Sequence, residues 1–214
     1  MSDIPIYSNQ NTQQAVPERQ PPRPKKQVSR ELISTLAIII AAPLIAFVLT
    51  IFVFQSYEVD GPSMERTLQD KDRLIVNKLG KTWSSTTRSD FLPKRYDVIV
   101  FNYSGATSGS GEKQLIKRVI GLPGDRVVVK EGVVTIFNDE NPKGFKPDTQ
   151  GPENGVITTT DGNIDETIEN GEVFVLGDNR ENSLDSRVFG PIGTSDIVGK
   201  LTLRIYPLDN VERF

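Results

Sequence analysis

Residues 114–120 read Gln-Leu-Ile-Lys-Arg-Val-Ile. The β-branched content and short length read as a strand, in which side chains alternate between two faces. Leu115, Lys117 and Val119 then share one face, and Ile116, Arg118 and Ile120 share the other. Similar short runs recur on both sides: Leu74-Ile75-Val76, 97–101 (DVIVF), 127–129, 133–137, Val156-Ile157-Thr158, 173–176 and 201–206. Gly, Pro, Asn and Asp punctuate them, and a sustained helical period is hard to find after residue 55. This pattern predicts a mainly β, antiparallel domain over 55–214. Ser104 to Gly111 (SGATSGSG) reads as a flexible loop, and 138–155 as a loop at the tip of a β extension around 126–172.

Two further segments precede that domain. Residues 32–54 (LISTLAIIIAAPLIAFVLTIFVF) are 23 positions without a charge. As a helix they would measure ~35 Å, enough to span a bilayer core. Pro43 is tolerated in such a helix. The run is too long for a cleaved signal peptide and lacks a small-residue cut site. A helix buried in a soluble core is the alternative, and the length and lack of charge speak against it. Residues 1–31 are polar and rich in Pro and Gln, and read as a disordered tail. Arg19, Arg23, Lys25, Lys26 and Arg30 lie before the span, whereas Glu58 and Asp60 follow it. The positive-inside rule then puts the N-terminus in the cytoplasm and 55–214 across the membrane.

The composition narrows the chemistry. The chain of 214 residues has no cysteine and no histidine. That removes disulfides, thiol nucleophiles, Cys/His zinc sites and any Ser-His-Asp triad. No cofactor is expected. A net charge of −3 argues against nucleic acid as a partner.

A serine nucleophile stays open. Residues 59–68 read VDGPSMERTL, with Ser63 behind a Gly-Pro turn. Its hydroxyl needs a base, and a lysine serves if burial lowers its pKa. Lys71, Lys81, Lys94, Lys143 and Lys146 sit in polar or turn contexts. Lys117 lies between Leu115 and Val119 on a strand face. From the pattern alone, a snorkelling surface lysine on an edge strand is the favoured reading of Lys117. A third stretch, Leu176 to Arg187 (LGDNRENSLDSR), follows an apolar strand. It fits either a hydrogen-bonded frame around a site or a solvated loop with local salt bridges.

Taken together, 59–64 (VDGPSM), 115–125 (LIKRVIGLPGD) and 177–187 (GDNRENSLDSR) resemble the signature boxes of the type I signal peptidases. Residues 96–101 (YDVIVF) resemble a further structural box of that family, and the order of boxes matches. The resemblance covers about 45 to 206. It implies an antiparallel, coiled β-sheet catalytic domain of signal peptidase type behind one transmembrane helix. It implies a Ser/Lys dyad, with Ser63 as nucleophile and Lys117 as general base. Ser183 matches the family hydroxyl that orients the lysine, while Asp185 and Arg187 match supporting residues. Asp178 and Arg180 are expected to be structural. Tyr57, Val59, Met64, Leu68, Leu74, Val100, Leu115 and Ile116 match the walls of shallow pockets for small residues at −1 and −3. Some relatives carry a serine two positions before the nucleophile, whose hydroxyl helps bind the oxyanion; this chain has Gly61 there.

The partners so implied are signal-peptide-bearing preproteins and membrane lipid, with the protein export machinery nearby. The implied location is a bacterial plasma membrane, or a thylakoid membrane in a photosynthetic host. Two rivals remain at this stage: another Ser/Lys peptidase, and a membrane-anchored β-domain that binds or assembles without catalysis.

Overall fold

A computed structural model describes the backbone of residues 27–80, 91–105, 113–152, 157 and 159–214, and their side chains except at 27–30 and 48–52. Most of the expected disordered tail lies outside the described residues, as do Lys81, 106–111 of the glycine-serine loop, and Val156 and Thr158 of one expected strand. By its internal contacts the chain divides into two units, Met1–Leu44 and Ile45–Phe214.

A helix, α1 (Gln27–Phe52), begins in the first unit and runs for 26 residues with Pro43 inside it. The hydroxyls of Ser34 and Thr35 both donate back to the Glu31 carbonyl, at 2.9 and 2.8 Å. This bonding satisfies the hydroxyl donors within the helix, although both side chains stay exposed. Among the described residues, no helix combines the length and hydropathy needed to cross a membrane. The described side chains of α1 stop at 47, so 48–52 of the expected span lie outside them.

The second unit is built from antiparallel strands, in agreement with the mainly β reading. They are β1 (Phe54–Glu58), β2 (Arg73–Asn77), β3 (Val98–Tyr103), β4 (Lys113–Gly121), β5 (Arg126–Lys130), β6 (Val133–Phe137), β7 (Ile164–Thr167), β8 (Glu172–Leu176), β9 (Ile192–Gly193), β10 (Ile197–Tyr206) and β11 (Glu212–Arg213). One eight-stranded sheet has the order β1-β2-β10-β3-β4-β8-β9, with β11 added beside β10. A three-stranded sheet, β6-β5-β7, is formed by residues between β4 and β8. Two short helices, α2 (Pro147–Gln150) and α3 (Ser186–Phe189), lie in the connections.

Alternation fixes what each strand buries. Val127 and Val129 on β5, with Val134 and Ile136 on β6, form one cluster with Ile120, Phe174 and Leu176. That cluster joins the small sheet to the large one. Burying each such aliphatic side chain contributes about 1.5–3 kcal/mol. A second cluster holds Ile99, Phe101, Val119, Val175 and Ile197. A third holds Val59, Met64, Leu68, Leu74, Val98 and Leu201, with Tyr57 and Ile116 against it.

Strand β4 is paired unevenly. Its whole length from Lys113 to Arg118 pairs with β3, but pairing with β8 starts only at Arg118, opposite Leu176. On the β8 side, 113–117 therefore have no strand partner among the described residues.

Candidate active site

Ser63 lies in the connection between β1 and β2. The ends of that connection are tied by Val59 N–H to the Asp72 carbonyl at 2.9 Å and Lys71 N–H to the Val59 carbonyl at 3.0 Å. Gly61 has φ +99°, a conformation that a side chain resists, and its N–H donates to Asp70 Oδ1 at 3.0 Å. After Pro62 the chain turns tightly, with Glu65 N–H on the Pro62 carbonyl and Leu68 N–H on the Met64 carbonyl. Met64 and Leu68 are fully buried beneath this turn. The turn thus stands on a packed base and lifts Ser63 out of the core.

Lys117 comes from β4, opposite Ile99 of β3. Its Nζ donates to Ser63 Oγ at 2.7 Å and to the Ile116 carbonyl at 2.8 Å. The residue is only 2% exposed. Burial pulls the amine down to about 8, and the carboxylates of Asp185 and then Asp178 oppose that shift. The reading of Lys117 as a surface lysine, favoured by the strand pattern alone, gives way to a desolvated amine. The amine can lose its proton near neutral pH, and it already touches the hydroxyl whose proton it would accept.

The loop after β8 surrounds this pair. Asn179 N–H donates to the Ser63 carbonyl at 3.1 Å, and Asn179 Nδ2 reaches Glu65 at 3.0 Å. Asp178 pairs with Arg118 through two bonds of 2.8 and 2.6 Å, both side chains being buried. Arg118 also donates to the Tyr96 carbonyl and to Thr67 Oγ1, and that threonine donates to Asp178 at 2.6 Å. Adjacent residues of β4 therefore divide the work. Lys117 meets the Ser63 hydroxyl, and Arg118 ties the same strand to the loop.

Asp185 caps α3 and is fully buried. Its carboxylate accepts from Gly177 N–H at 3.0 Å and from Arg187 Nε and Nη2 at 2.8 and 2.9 Å. Arg187 also donates to the carbonyls of Arg180 and Asp161. Ser183 lies beside Gly177, close to the Ser63 backbone. Its Oγ is buried without a hydrogen-bond partner among the described residues, so the hydroxyl is not bonded to Lys117 in this arrangement.

A groove of about 110 Å³ runs up to the pair. It is lined by Tyr57, Val59, Leu74, Val100, Leu115, Ile116, Ser63 and Lys117, with Glu58, Asp60 and Gln114 at its polar parts. Burial pushes the Tyr57 phenol up, with Gln114 opposing. Of the eight residues expected to wall the pockets, Met64 and Leu68 do not line this groove. They lie in the core cluster behind Val59 and Leu74. Among the described residues no group of carboxylates is placed to hold a metal ion. Asp148, Thr160 and Arg204 were not singled out from the sequence, because the buried side chains they bond lie far away along the chain.

A serine hydroxyl against a desolvated lysine amine, on an antiparallel β-sheet beside an apolar groove, has the form of a Ser/Lys hydrolase site. Comparison with known proteins specifies the family. The profile of the signal peptidases, peptidase S26, matches residues 32–206. Signal peptidase I of Bacillus caldolyticus is 37% identical over 166 residues, 74% of this chain and 83% of the relative. Signal peptidase I P of Bacillus subtilis subsp. natto is 35% identical over 193 residues, 87% of this chain and 96% of the relative. A crystal structure of a signal peptidase I from Enterococcus faecalis V583 is 29% identical, with a TM-score of 0.36, covering 51% of this chain and 97% of that one. The chain belongs to the signal peptidase family, peptidase S26, and is a serine endopeptidase by that membership.

Proposed function

We propose that this chain removes N-terminal signal peptides from exported preproteins, with Ser63 as nucleophile and Lys117 as general base. The observation that carries the roles is the 2.7 Å contact between Lys117 Nζ and Ser63 Oγ at a buried amine.

In this reading, neutral Lys117 takes the Ser63 proton as Oγ attacks the scissile carbonyl. The C–N bond of the collapsing tetrahedral intermediate breaks, and the lysine ammonium gives its proton to the leaving amine. The acyl group remains on Ser63. Lysine then draws a proton from water, hydroxide attacks the ester, and Ser63 is released with its proton restored. The Ser63 backbone N–H makes no hydrogen bond among the described residues, which suits it to the oxyanion. Gly61 offers no hydroxyl there, and its N–H is engaged by Asp70.

The substrate adds as an extended strand along 113–117, where β4 lacks a partner on the β8 side. Alternate side chains would enter the groove. Its small volume and apolar walls favour small residues at −1 and −3, since larger ones overlap. Ser183 reorients its hydroxyl to the lysine amine during the cycle. Asp185 and Arg187 hold the loop on which Ser183 sits.

Residues 32–54 anchor the chain as a single span, the N-terminus in the cytoplasm and the peptidase domain outside. The uncharged run and the 26-residue helix α1 support this. Enzyme and membrane-held preprotein would then share one plane beside lipid and the export machinery, which raises their effective concentration. The test is to incubate the full chain in detergent with a preprotein and to sequence the new N-terminus. Cleavage after a small residue, lost in Ser63→Ala, is the expected result. An uncut preprotein would instead favour a binding role.

A further inference from the structure

Asp148 lies outside the signature boxes, in a loop read from sequence as the tip of an extension. Its carboxylate grips the guanidinium of Arg180 by two bonds, from Nη1 at 2.8 Å and Nη2 at 2.7 Å. The Arg180 side chain is 3% exposed and that of Asp148 13%. Thr160, fully buried, also accepts from Arg180 Nη1 and donates to Asp148 at 3.4 Å. Among the described residues, Asp148 is the carboxylate that pairs with Arg180. The remaining donor, Arg180 Nε, reaches the Gly177 carbonyl at 3.0 Å.

Gly177 opens the loop that holds the nucleophile. Two residues on, Asn179 N–H binds the Ser63 carbonyl at 3.1 Å. Gly177 also packs directly on Ser183 and on the Ser63 carbonyl. The Arg180 carbonyl in turn accepts from Arg187 at 2.6 Å. A second tie runs from Arg187 Nη1 to the Asp161 carbonyl at 3.1 Å, again into the chain segment that includes the small sheet. The site loop is therefore clamped from outside by residues 148, 160 and 161.

We propose that Asp148 is a positioning residue for the reaction, setting the Gly177–Asn179 segment through Arg180 and thereby the direction of the Ser63 hydroxyl. The proposal rests on the Ser63 reading above. A buried guanidinium without its carboxylate must find water or another partner. When Arg180 moves, its hold on the Gly177 carbonyl goes with it. Substrate binding depends on the groove, which none of these residues line. The loss should therefore fall on the chemical step rather than on binding.

The experiment uses the full chain in detergent and a preprotein substrate. Wild type and Ser63→Ala come first, since failure of wild type to cleave counts against the underlying reading and not against Asp148. Asp148→Ala is then expected to lower kcat about 10- to 100-fold, with KM within about threefold. Asp148→Glu should recover part of that loss, because a carboxylate still reaches Arg180. Asp148→Ala combined with Arg180→Ala should be no worse than the poorer single variant, since the two act as one unit. Wild-type kcat in folded Asp148→Ala, or fully additive losses in the double variant, would overturn the proposal. Should Asp148→Ala fail to fold, Asp148→Asn and Asp148→Leu keep most of the volume and remove the charged grip on Arg180. A lowered kcat in both supports the proposal, and unchanged kcat in both overturns it.

Discussion

A Cβ built on Gly177 would stand 2.5 Å from the Ser63 carbonyl oxygen and would also overlap the Ser183 side chain. The Ser63 turn and the loop after β8 thus meet at a point with no room for a methyl group. Gly177→Ala must push Ser63 and Ser183 apart. A displacement of this kind costs about 100-fold in rate. The expected result is a folded protein with kcat down by about that factor, measured on preprotein cleavage. Unchanged kcat would show that the contact is irrelevant to the chemistry.

Lys117→Arg should be inactive, because a guanidinium keeps its proton throughout the usable pH range. Lys117→Met should be equally inactive. With the amine lowered to about 8, kcat/KM should rise with pH and level off above that value. At pH 6 only about 1% of the amine is neutral, so the rate should fall about 100-fold there. Measuring kcat/KM from pH 5 to pH 10 checks the slope. A flat profile down to pH 5 would rule out the amine as base.

The same burial makes Lys117 costly to the fold. Its folded value, about 8, lies below the value of the unfolded chain. Between those two values the unfolded chain binds more protons, so stability rises with pH across about 8 to 10.5 and is flat below. At pH 7 the whole cost, about 3 kcal/mol as an upper figure, is present. Lys117→Met should therefore raise the melting temperature at pH 7, with the gain shrinking toward pH 10. Equal melting temperatures at pH 7 would contradict the desolvated amine.

Asp178→Asn should behave in the opposite sense. It leaves the buried Arg118 guanidinium without its charge partner, and breaking such a pair costs about 3–5 kcal/mol. For a domain of this size that is a fall in Tm of about 6–20 °C, readable by circular dichroism. A fall of less than about 2 °C would mean that water or Thr67 compensates.

Ser183→Ala separates positioning from stability. Its Oγ is buried and unpartnered in the resting arrangement, so removing it deletes an unsatisfied polar atom. Tm should hold or rise by a few degrees, while kcat falls at least about 10-fold. An unchanged kcat would remove Ser183 from the cycle.

The strand content was legible because β-branched runs between turn residues leave few other options. Ser63 and Lys117 stood out as candidates from turn and strand pattern, but only the boxes favoured pairing them. The alternation around Lys117 by itself favours an exposed lysine. What buries it is the docking of the 177–187 loop and the Ser63 turn, both distant in sequence. The walls of the groove were partly legible. Met64 and Leu68 match pocket walls in the resembled family, yet the tight turn after Pro62 directs both into the core. Asp148 was not legible at all. It reads as one more acidic residue in a polar loop, and its partner stands 32 positions away.

The adjacency of Lys117 and Arg118 on β4 has a consequence for how an active molecule arises. A slip of one residue against β3 would exchange the two faces of the strand. The slip that carries Arg118 into the place of Lys117 would set a permanently charged guanidinium against Ser63 and bring Val119 to face Asp178. The β4–β3 register therefore bears on chemistry as well as on fold: a strand paired one residue out would carry no titratable amine at Ser63 and no guanidinium at Asp178.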